Sequence, residues 1–361
     1  FPTRRSSDLT WKFIWSPFID RFPILGLGRR RGWMLASQLA LILAIAAMGF
    51  LSPQTSLWSI AYLAFGVAFF SASQDIVLDA YRREILSDQE LGLGNSVHVN
   101  AYRIAGLVPG SLSLIMADHL PWHWVFPITA LFMLPGLMLT LVCKEPAATR
   151  APKTLREAVV EPFHEFMQRQ GVQNALLILA FIFLYKLGDS MATSLATPFY
   201  QDIGFSKTEI GLIAKHAGLW PSVIGGMLGG IWMLRLGINR ALWVFGVVQL
   251  LAIFGFWFLA GVGHDRMVLA GVIGFEAFGV GVGTAAFTAF IARTTDPRYT
   301  ATQFALFTSL AAVPRTFFNA STGWLVEALG WQSFFLLCAL LAVPGMLLLF
   351  KVAPWQAEKE S

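Results

Sequence analysis

The sequence predicts an all-α membrane protein built as two bundles of helices, and three observations predict it. Of 361 residues, 56% are hydrophobic and 13% charged, with a mean hydropathy of +0.62; a soluble domain carries about 25% charged residues. Apolar stretches near the ~20 residues of a bilayer crossing follow one another along the chain. Basic residues gather in alternate loops. The many phenylalanines (31), tryptophans (13) and glycines (32) suit helices belted by aromatics and packed through small residues. The net charge of +5 then reflects loop topology, with the lipid bilayer as partner and no nucleic acid.

Residues 1–9 resemble the translation of a sequencing-library adapter and are expected to be non-native. Thr10–Ile19 reads as the tail of a span, so a first helix is expected before it. Spans are predicted at 33–51, 57–81, 94–117 and 121–143. The polar stretch Lys144–Gln173 carries Pro146, Pro152 and Pro162, and Leu155–Met167 within it suits a short amphipathic helix at the interface. Further spans are predicted at 174–200, 208–234, 240–262, 267–292, 300–326 and 332–352. These make about 11 spans of an expected 12. They form an N-terminal bundle (10–143), a cytoplasmic linker (144–173), a six-helix C-terminal bundle (174–352) and a cytoplasmic tail (353–361).

Lysine and arginine fix the orientation. One set of loops holds Arg21, Arg29, Arg30, Arg31, Arg82, Arg83, Lys144, Arg235, Arg240, Arg293 and Arg298, among others, and the opposite set holds only Lys207 and Arg266. The first side is the cytoplasm. Cys143 and Cys338 have no metal-like spacing and read as small buried hydrophobes.

The two bundles carry matching basic loops: Asp20-Arg21 with Gly28-Arg-Arg-Arg-Gly32, and Arg235-Leu-Gly-Ile-Asn-Arg240. Such a parallel repeat is the layout of the major facilitator transporters, two pseudo-symmetric helix bundles around a midplane cavity. Trp15-Ser-Pro-Phe-Ile-Asp-Arg21 with Gly28-Arg-Arg-Arg-Gly-Trp33 resembles the loop signature of that fold, with Phe22–Leu27 inserted between its halves. Ser73-Gln-Asp-Ile-Val-Leu-Asp-Ala80, Tyr185-Lys-Leu-Gly-Asp189, Thr300-Ala-Thr-Gln-Phe-Ala-Leu306 and Gly323-Trp-Leu-Val-Glu-Ala-Leu-Gly-Trp331 resemble the AmpG family of muropeptide permeases. The resemblance spans Lys12–Lys351. It implies import of anhydromuropeptides across the bacterial inner membrane for cell-wall recycling, driven by the proton gradient, with no cofactor and a monomeric carrier.

Asp75 and Asp79 stand one helical turn apart and share a face inside a span. A carboxylate there costs about 2.5–3.5 kcal/mol on insertion scales, so it needs a partner or a use. The pair suits proton coupling, because two acids in low dielectric titrate as a unit. Equally, Asp79 could bind Arg82, Arg83 or Arg103. Arg103 shares a face with Ser96 and Asn100 and suits cargo carboxylates and hydroxyls, or acts as counter-ion to the aspartates. Lys186 and Asp189, three apart, form a scaffold salt bridge or a cavity gate. Lys215 attracts an anionic peptide or snorkels to the interface. Glu276 sits mid-span beside a glycine-rich run, and His216 and Arg315 are weaker candidates. In this fold the basic loop latches one conformation, which makes Asp20, Arg21, Arg29, Arg30, Arg31 and Arg83 gate residues.

Gly225/Gly229, Gly226/Gly230 and Gly279/Gly283 have the small-xxx-small spacing of close helix contacts. No phosphate-binding loop, metalloprotease motif or nucleophile elbow occurs, so no enzyme chemistry is indicated. Three rivals remain: a facilitator for another polar solute such as acetyl-CoA, an intramembrane enzyme lacking any visible constellation, and a non-transporting sensor.

Overall fold

The computed structural model describes residues 11–24, 26–52, 54–146 and 155–355. The adapter-like residues 1–9, most of the linker's first third and the last residues of the tail lie outside that set. Among the described residues every regular element is helical. The helices are α1 (Ser16–Arg21), α2 (Arg29–Met48), α3 (Leu57–Ile85), α4 (Leu91–Ala105), α5 (Ser113–Ala117), α6 (Trp122–Leu131), α7 (Leu134–Val142) and α8 (Leu155–Gln170). There follow α9 (Val172–Leu184), α10 (Leu187–Ser194), α11 (Ala196–Asp202), α12 (Lys207–Val262), α13 (Arg266–Thr294), α14 (Thr300–Phe317) and α15 (Thr322–Val352).

Seven described segments are long and apolar enough to cross a membrane. Two of them run through a glycine that turns the chain: Gly237 (φ +74°) inside α12 and Gly330 (φ +73°) inside α15. Both positions fall in gaps between predicted spans, and only glycine takes such a φ at low cost. The predicted span 94–117 is broken instead. After α4 the backbone widens into a π turn at Val108–Leu112, where Pro109 withholds its N–H, and resumes as α5. Predicted span 174–200 is likewise three pieces, α9 to α11, interrupted at Tyr185–Lys186 and at Leu195.

The chain divides into two compact units, one within Phe1–Ile85, Ala101–Glu165 and Thr295–Leu306, the other within Leu86–Asn100, Phe166–Thr294 and Phe307–Ser361. In the first, α2 packs on α3, α6 and α7. Its core joins Ile19, Met34, Ile76, Val77 and Ala80 to Ala301 and Ala305 of α14. The opposite side of α3 leaves Trp58, Tyr62 and Phe65 76%, 73% and 73% exposed. Their i, i+4, i+7 spacing makes one apolar stripe, which water would not tolerate and lipid does.

In the second unit α12 and α13 lie side by side, and glycines set their approach. Gly225 and Gly229 face Phe278 and Val282 of α13, and a Cβ on Gly281 would lie 2.8 Å from the Gly226 nitrogen. The adjacent row, Gly226 and Gly230, faces Asn100 and Ser96 of α4. Two small-residue rows therefore pack one helix against two neighbours. An aromatic core closes the unit, with Phe199, Phe256, Phe334 and Phe335 all buried; Phe199 meets Phe335 edge-on at 4.9 Å.

Candidate functional site

Asp20 lies in the last turn of α1 and is fully buried. A carboxylate without water must find donors or it unfolds its surroundings. Asp20 accepts from Arg30 Nη2 at 2.9 Å, from the Thr302 backbone N–H at 2.8 Å, from the Thr302 hydroxyl at 2.7 Å and from the Ala301 N–H at 3.3 Å. Ala301 and Thr302 open α14, so Asp20 serves as its N-terminal cap from a distant part of the chain. Arg30, also fully buried, holds Glu84 through Nε at 3.1 Å and Nη2 at 2.5 Å. Arg29 adds contacts to the Asp20 carbonyl (3.3 Å) and Glu84 (3.4 Å).

The start of α2 is capped in the same manner. Glu145 Oε1 accepts the Arg30 N–H at 2.7 Å, and Oε2 accepts the Arg31 N–H at 2.9 Å. Gly28 precedes them with φ +98°, and a Cβ there would lie 2.8 Å from Glu145 Oε1. Arg31 reaches back to the end of α7, donating to the Thr140 carbonyl at 3.0 Å and the Leu141 carbonyl at 2.6 Å. Orphan N–H groups at one helix start and orphan carbonyls at another helix end are thus satisfied by one short loop.

The linker helix joins the same group. α8 runs three residues past its predicted end and buries Ala158, Pro162 and Phe166, spaced i, i+4, i+8. Gln303 of α14 donates to the Pro162 carbonyl (2.9 Å) and to Glu165 (2.7 Å), and accepts the Asp296 N–H (2.7 Å). Burial pushes the Asp296 carboxyl up, but hydrogen bonds from the Arg298 side chain and backbone outweigh it and hold the acid below the ordinary range. The same contacts raise Arg298.

A matching arrangement recurs in the second unit. Gly28, Arg30, Arg31 and Glu84 correspond to Gly237, Asn239, Arg240 and Arg293 with one constant offset (28 to 237, 30 to 239, 31 to 240, 84 to 293). Both glycines have positive φ. Arg30–Glu84 becomes Asn239–Arg293, a hydrogen bond in which the cation has moved to the other position and a neutral amide replaces the acid. Arg240, like Arg31, binds a backbone carbonyl near the end of a later helix, here that of Trp355, three residues past α15, at 3.2 Å, and Asn239 donates to the Pro354 carbonyl at 3.4 Å.

Inside the spans, Lys186 occupies the break between α9 and α10. Its Nζ lies 2.5 Å from Gln249 Oε1 and 3.6 Å from Asp189 Oδ2, both in its own unit. A small cleft lined by Tyr185, Asp189, Gly246, Gln249 and Met346 opens beside them. Glu276, half-buried on α13, lies within electrostatic reach of the buried Tyr200 hydroxyl. Lys215 belongs to α12, its side chain outside the described set.

Asp75 and Asp79 are both half-buried on α3. Asp79 is bound by Arg82 Nη2 at 2.8 Å and faces Lys12 Nζ at 3.7 Å. Ser96, Asn100 and Arg103 all lie on the unbroken helix α4. Ser96 donates to the Gly226 carbonyl, Asn100 packs on the same glycine, and Arg103 is half-buried near the helix end. Neither amide atom of buried Asn100 has a partner among the described residues. Arg21 stacks its guanidinium over Phe22 at 4.8 Å, apart from the Arg30 pairs, and Arg83 is half-buried at the end of α3.

Sequence reasoning missed Glu84, Glu145, Thr302 and Gln249. Glu84 follows Arg82-Arg83, and an acid ending a basic run was the available signal. Gln249 is an amide in an otherwise apolar span, which on its own marks a polar contact inside the bilayer. Glu145 and Thr302 carried no local signal, because their partners lie 115 and 282 residues away.

Comparison with known proteins agrees with this geometry. The sequence profile of the Major Facilitator Superfamily matches residues 9–318 and 178–361. An uncharacterized protein of Haemophilus influenzae is 52% identical over 96% of this chain and 84% of its own length. The anhydromuropeptide permease of Escherichia coli K12 is 43% identical over 94% of this chain and 69% of its own. A putative transporter, AmpG 4, of Rickettsia felis is 30% identical over 94% and 84%. The crystal structure of the human organic anion transporter MFSD10 superposes with a TM-score of 0.69 at 18% identity, over 96% of this chain and 82% of that one, which speaks to fold alone. The chain is therefore a membrane-spanning carrier and not an enzyme, and it belongs to the Major Facilitator Superfamily, within its AmpG permease family.

Proposed function

We propose that this carrier imports anhydromuropeptides from periplasm to cytoplasm across a bacterial inner membrane, as a monomer and together with protons, for peptidoglycan recycling. The observation that carries the reading is an ion pair kept inside an apolar span, Lys186–Asp189, in a chain 43% identical to a protein named anhydromuropeptide permease. Such a pair costs insertion energy, and an intramembrane charge kept at that cost is a functional candidate. Muropeptides present sugar hydroxyls and peptide carboxylates. Lys186, Lys215 and Arg103 are suited to the carboxylates, and the unpartnered amide of Asn100 to a hydroxyl or peptide group.

Asp75 and Glu276 are the acids we assign to proton coupling. Asp79, bound by Arg82 and Lys12, belongs with the latch instead. The latch comprises Asp20, Arg29, Arg30, Arg31 and Arg83, with Glu84, Glu145 and Thr302 added. In an alternating-access cycle of two six-helix bundles joined by the linker, breaking the Asp20–Thr302 contacts would free α14.

The test is uptake of radiolabelled N-acetylglucosaminyl-anhydromuramyl tripeptide into proteoliposomes with an imposed pH gradient. Uptake should accelerate with an inward proton gradient and lose that dependence in Asp75→Asn. Uptake of acetyl-CoA but not of the muropeptide would replace the cargo. Binding without counterflow would make the protein a sensor.

A further inference from the structure

We infer that Gln249 is a positioning residue for Lys186, and that the missing side chain at Gly283 is what lets it act. The inference rests on the reading of Lys186 as a contact for cargo carboxylates. The backbone at Lys186 is already fixed. A Cβ on Gly345 of α15 would lie 2.7 Å from the Tyr185 Cα, and the Tyr185 hydroxyl donates to the Leu242 carbonyl at 2.8 Å. The ammonium, on four flexible carbons, is not fixed by that.

Among the groups that face it are Asp189 and Gln249, and their distances differ in kind. Asp189 at 3.6 Å is an ion-pair contact too long for a hydrogen bond, while Gln249 at 2.5 Å is a hydrogen bond. The amide, not the acid, therefore sets where the charge sits. A neutral acceptor also aims the ammonium without adding a second negative charge beside Asp189. A second carboxylate there would leave Lys186 outnumbered and repel an anionic cargo.

Gln249 is itself held. It is 5% exposed, and its Nε2 donates to the Phe245 carbonyl at 3.3 Å. On the facing helix α13, Gly283 gives it room: a Cβ there would overlap the amide, lying 2.9 Å from Oε1 and closer still to the rest of the group. Gly283 was expected to serve close helix packing; in the structure it faces this side chain.

The experiment compares two cargoes in proteoliposomes: the anhydromuropeptide with free stem carboxylates and the same compound with those carboxylates amidated. The ratio of their kcat/KM values is read for the native protein, Lys186→Met, Gln249→Leu and Gly283→Ala. Losing one charge-assisted contact should cut the preference for the free acid about tenfold. We expect all three variants to show it, mainly through KM. Gln249→Glu, which still accepts from Lys186 but adds a second negative charge beside Asp189, should also lose preference while retaining uptake of the amidated cargo. If Lys186→Met loses the preference while Gln249→Leu and Gly283→Ala keep it, positioning by Gln249 is overturned and the role of Lys186 stands. If Gln249→Leu slows both cargoes equally, the amide is merely structural and the inference fails. If Lys186→Met itself keeps the preference, the parent reading of the site falls too.

Discussion

The Asp20 carboxylate accepts the Thr302 N–H at 2.8 Å and the Thr302 hydroxyl at 2.7 Å while bonding Arg30 on its other oxygen at 2.9 Å. One acid thereby joins a buried cation to the start of a helix. Asp20→Ala should cost about 3–5 kcal/mol, because it strips a partner from a buried guanidinium. Thr302→Val should cost about 0.5–1.5 kcal/mol, the loss of one hydrogen bond. Thermal unfolding in detergent, followed by tryptophan fluorescence, checks the order. Equal losses would mean that the charge on Asp20 contributes nothing beyond its cap.

Gly281 and Gly271 lie on the same helix and should respond oppositely to alanine. A Cβ on Gly281 would press on the α12 backbone, including the Gly226 nitrogen at 2.8 Å, which cannot rotate away. Overpacking of that kind costs about 1–3 kcal/mol. A Cβ on Gly271 meets nothing within 4 Å, so Gly271→Ala should stabilise by up to about 1 kcal/mol through helix propensity. The same unfolding assay separates them, and a neutral Gly281→Ala would show that α12 and α13 can move apart cheaply.

Gly28 and Gly330 both have positive φ, at +98° and +73°. Only Gly28 has a neighbour in the way, the Glu145 carboxylate that caps α2. Gly330→Ala should cost the backbone strain alone, about 1–3 kcal/mol. Gly28→Ala should exceed it, since Glu145 must withdraw from the Arg30 and Arg31 N–H groups. Adding Glu145→Ala to each variant provides the check. It should be partly non-additive with Gly28→Ala and fully additive with Gly330→Ala.

Asp296 sits below the ordinary carboxylate range, so its ionised form favours the folded protein. That contribution is complete above the unfolded value near ~3.9 and disappears as pH falls through the depressed folded value. Asp296→Asn should therefore flatten the loss of stability below about pH 4 and leave the region above pH 6 parallel to the native curve. Because Arg298 is more than half exposed, the amplitude should be small, about 1 kcal/mol or less, and should shrink in 0.5 M salt. An acid limb unaltered by Asp296→Asn would locate it in other carboxylates.

Much of this was legible in the amino-acid order, for reasons that differ from place to place. Spans were readable because lipid demands long apolar runs, and even the turns at Gly237 and Gly330 fell between predicted helices. Asp20 was readable because positive-inside topology accounts for every arginine near it and not for an acid. The splitting of α9 to α11 was not readable: Gly345 and Gly188, which press on Tyr185 and on the Cys338 carbonyl, act only once α15 is packed there. The partner of Asp79 is open in the sequence, since residues three and four apart are both within reach on a helix. The Arg82 contact at 2.8 Å depends on a side-chain rotamer that spacing alone does not contain.

The replacement of Arg30–Glu84 by Asn239–Arg293 has a consequence for what holds the two glycine turns. Asparagine is a neutral amide and gives Arg293 a hydrogen bond in place of an ion pair. The earlier turn is tied by ion pairs from Arg30 to Asp20 and Glu84. Similar backbones at Gly28 and Gly237 thus carry different electrostatics.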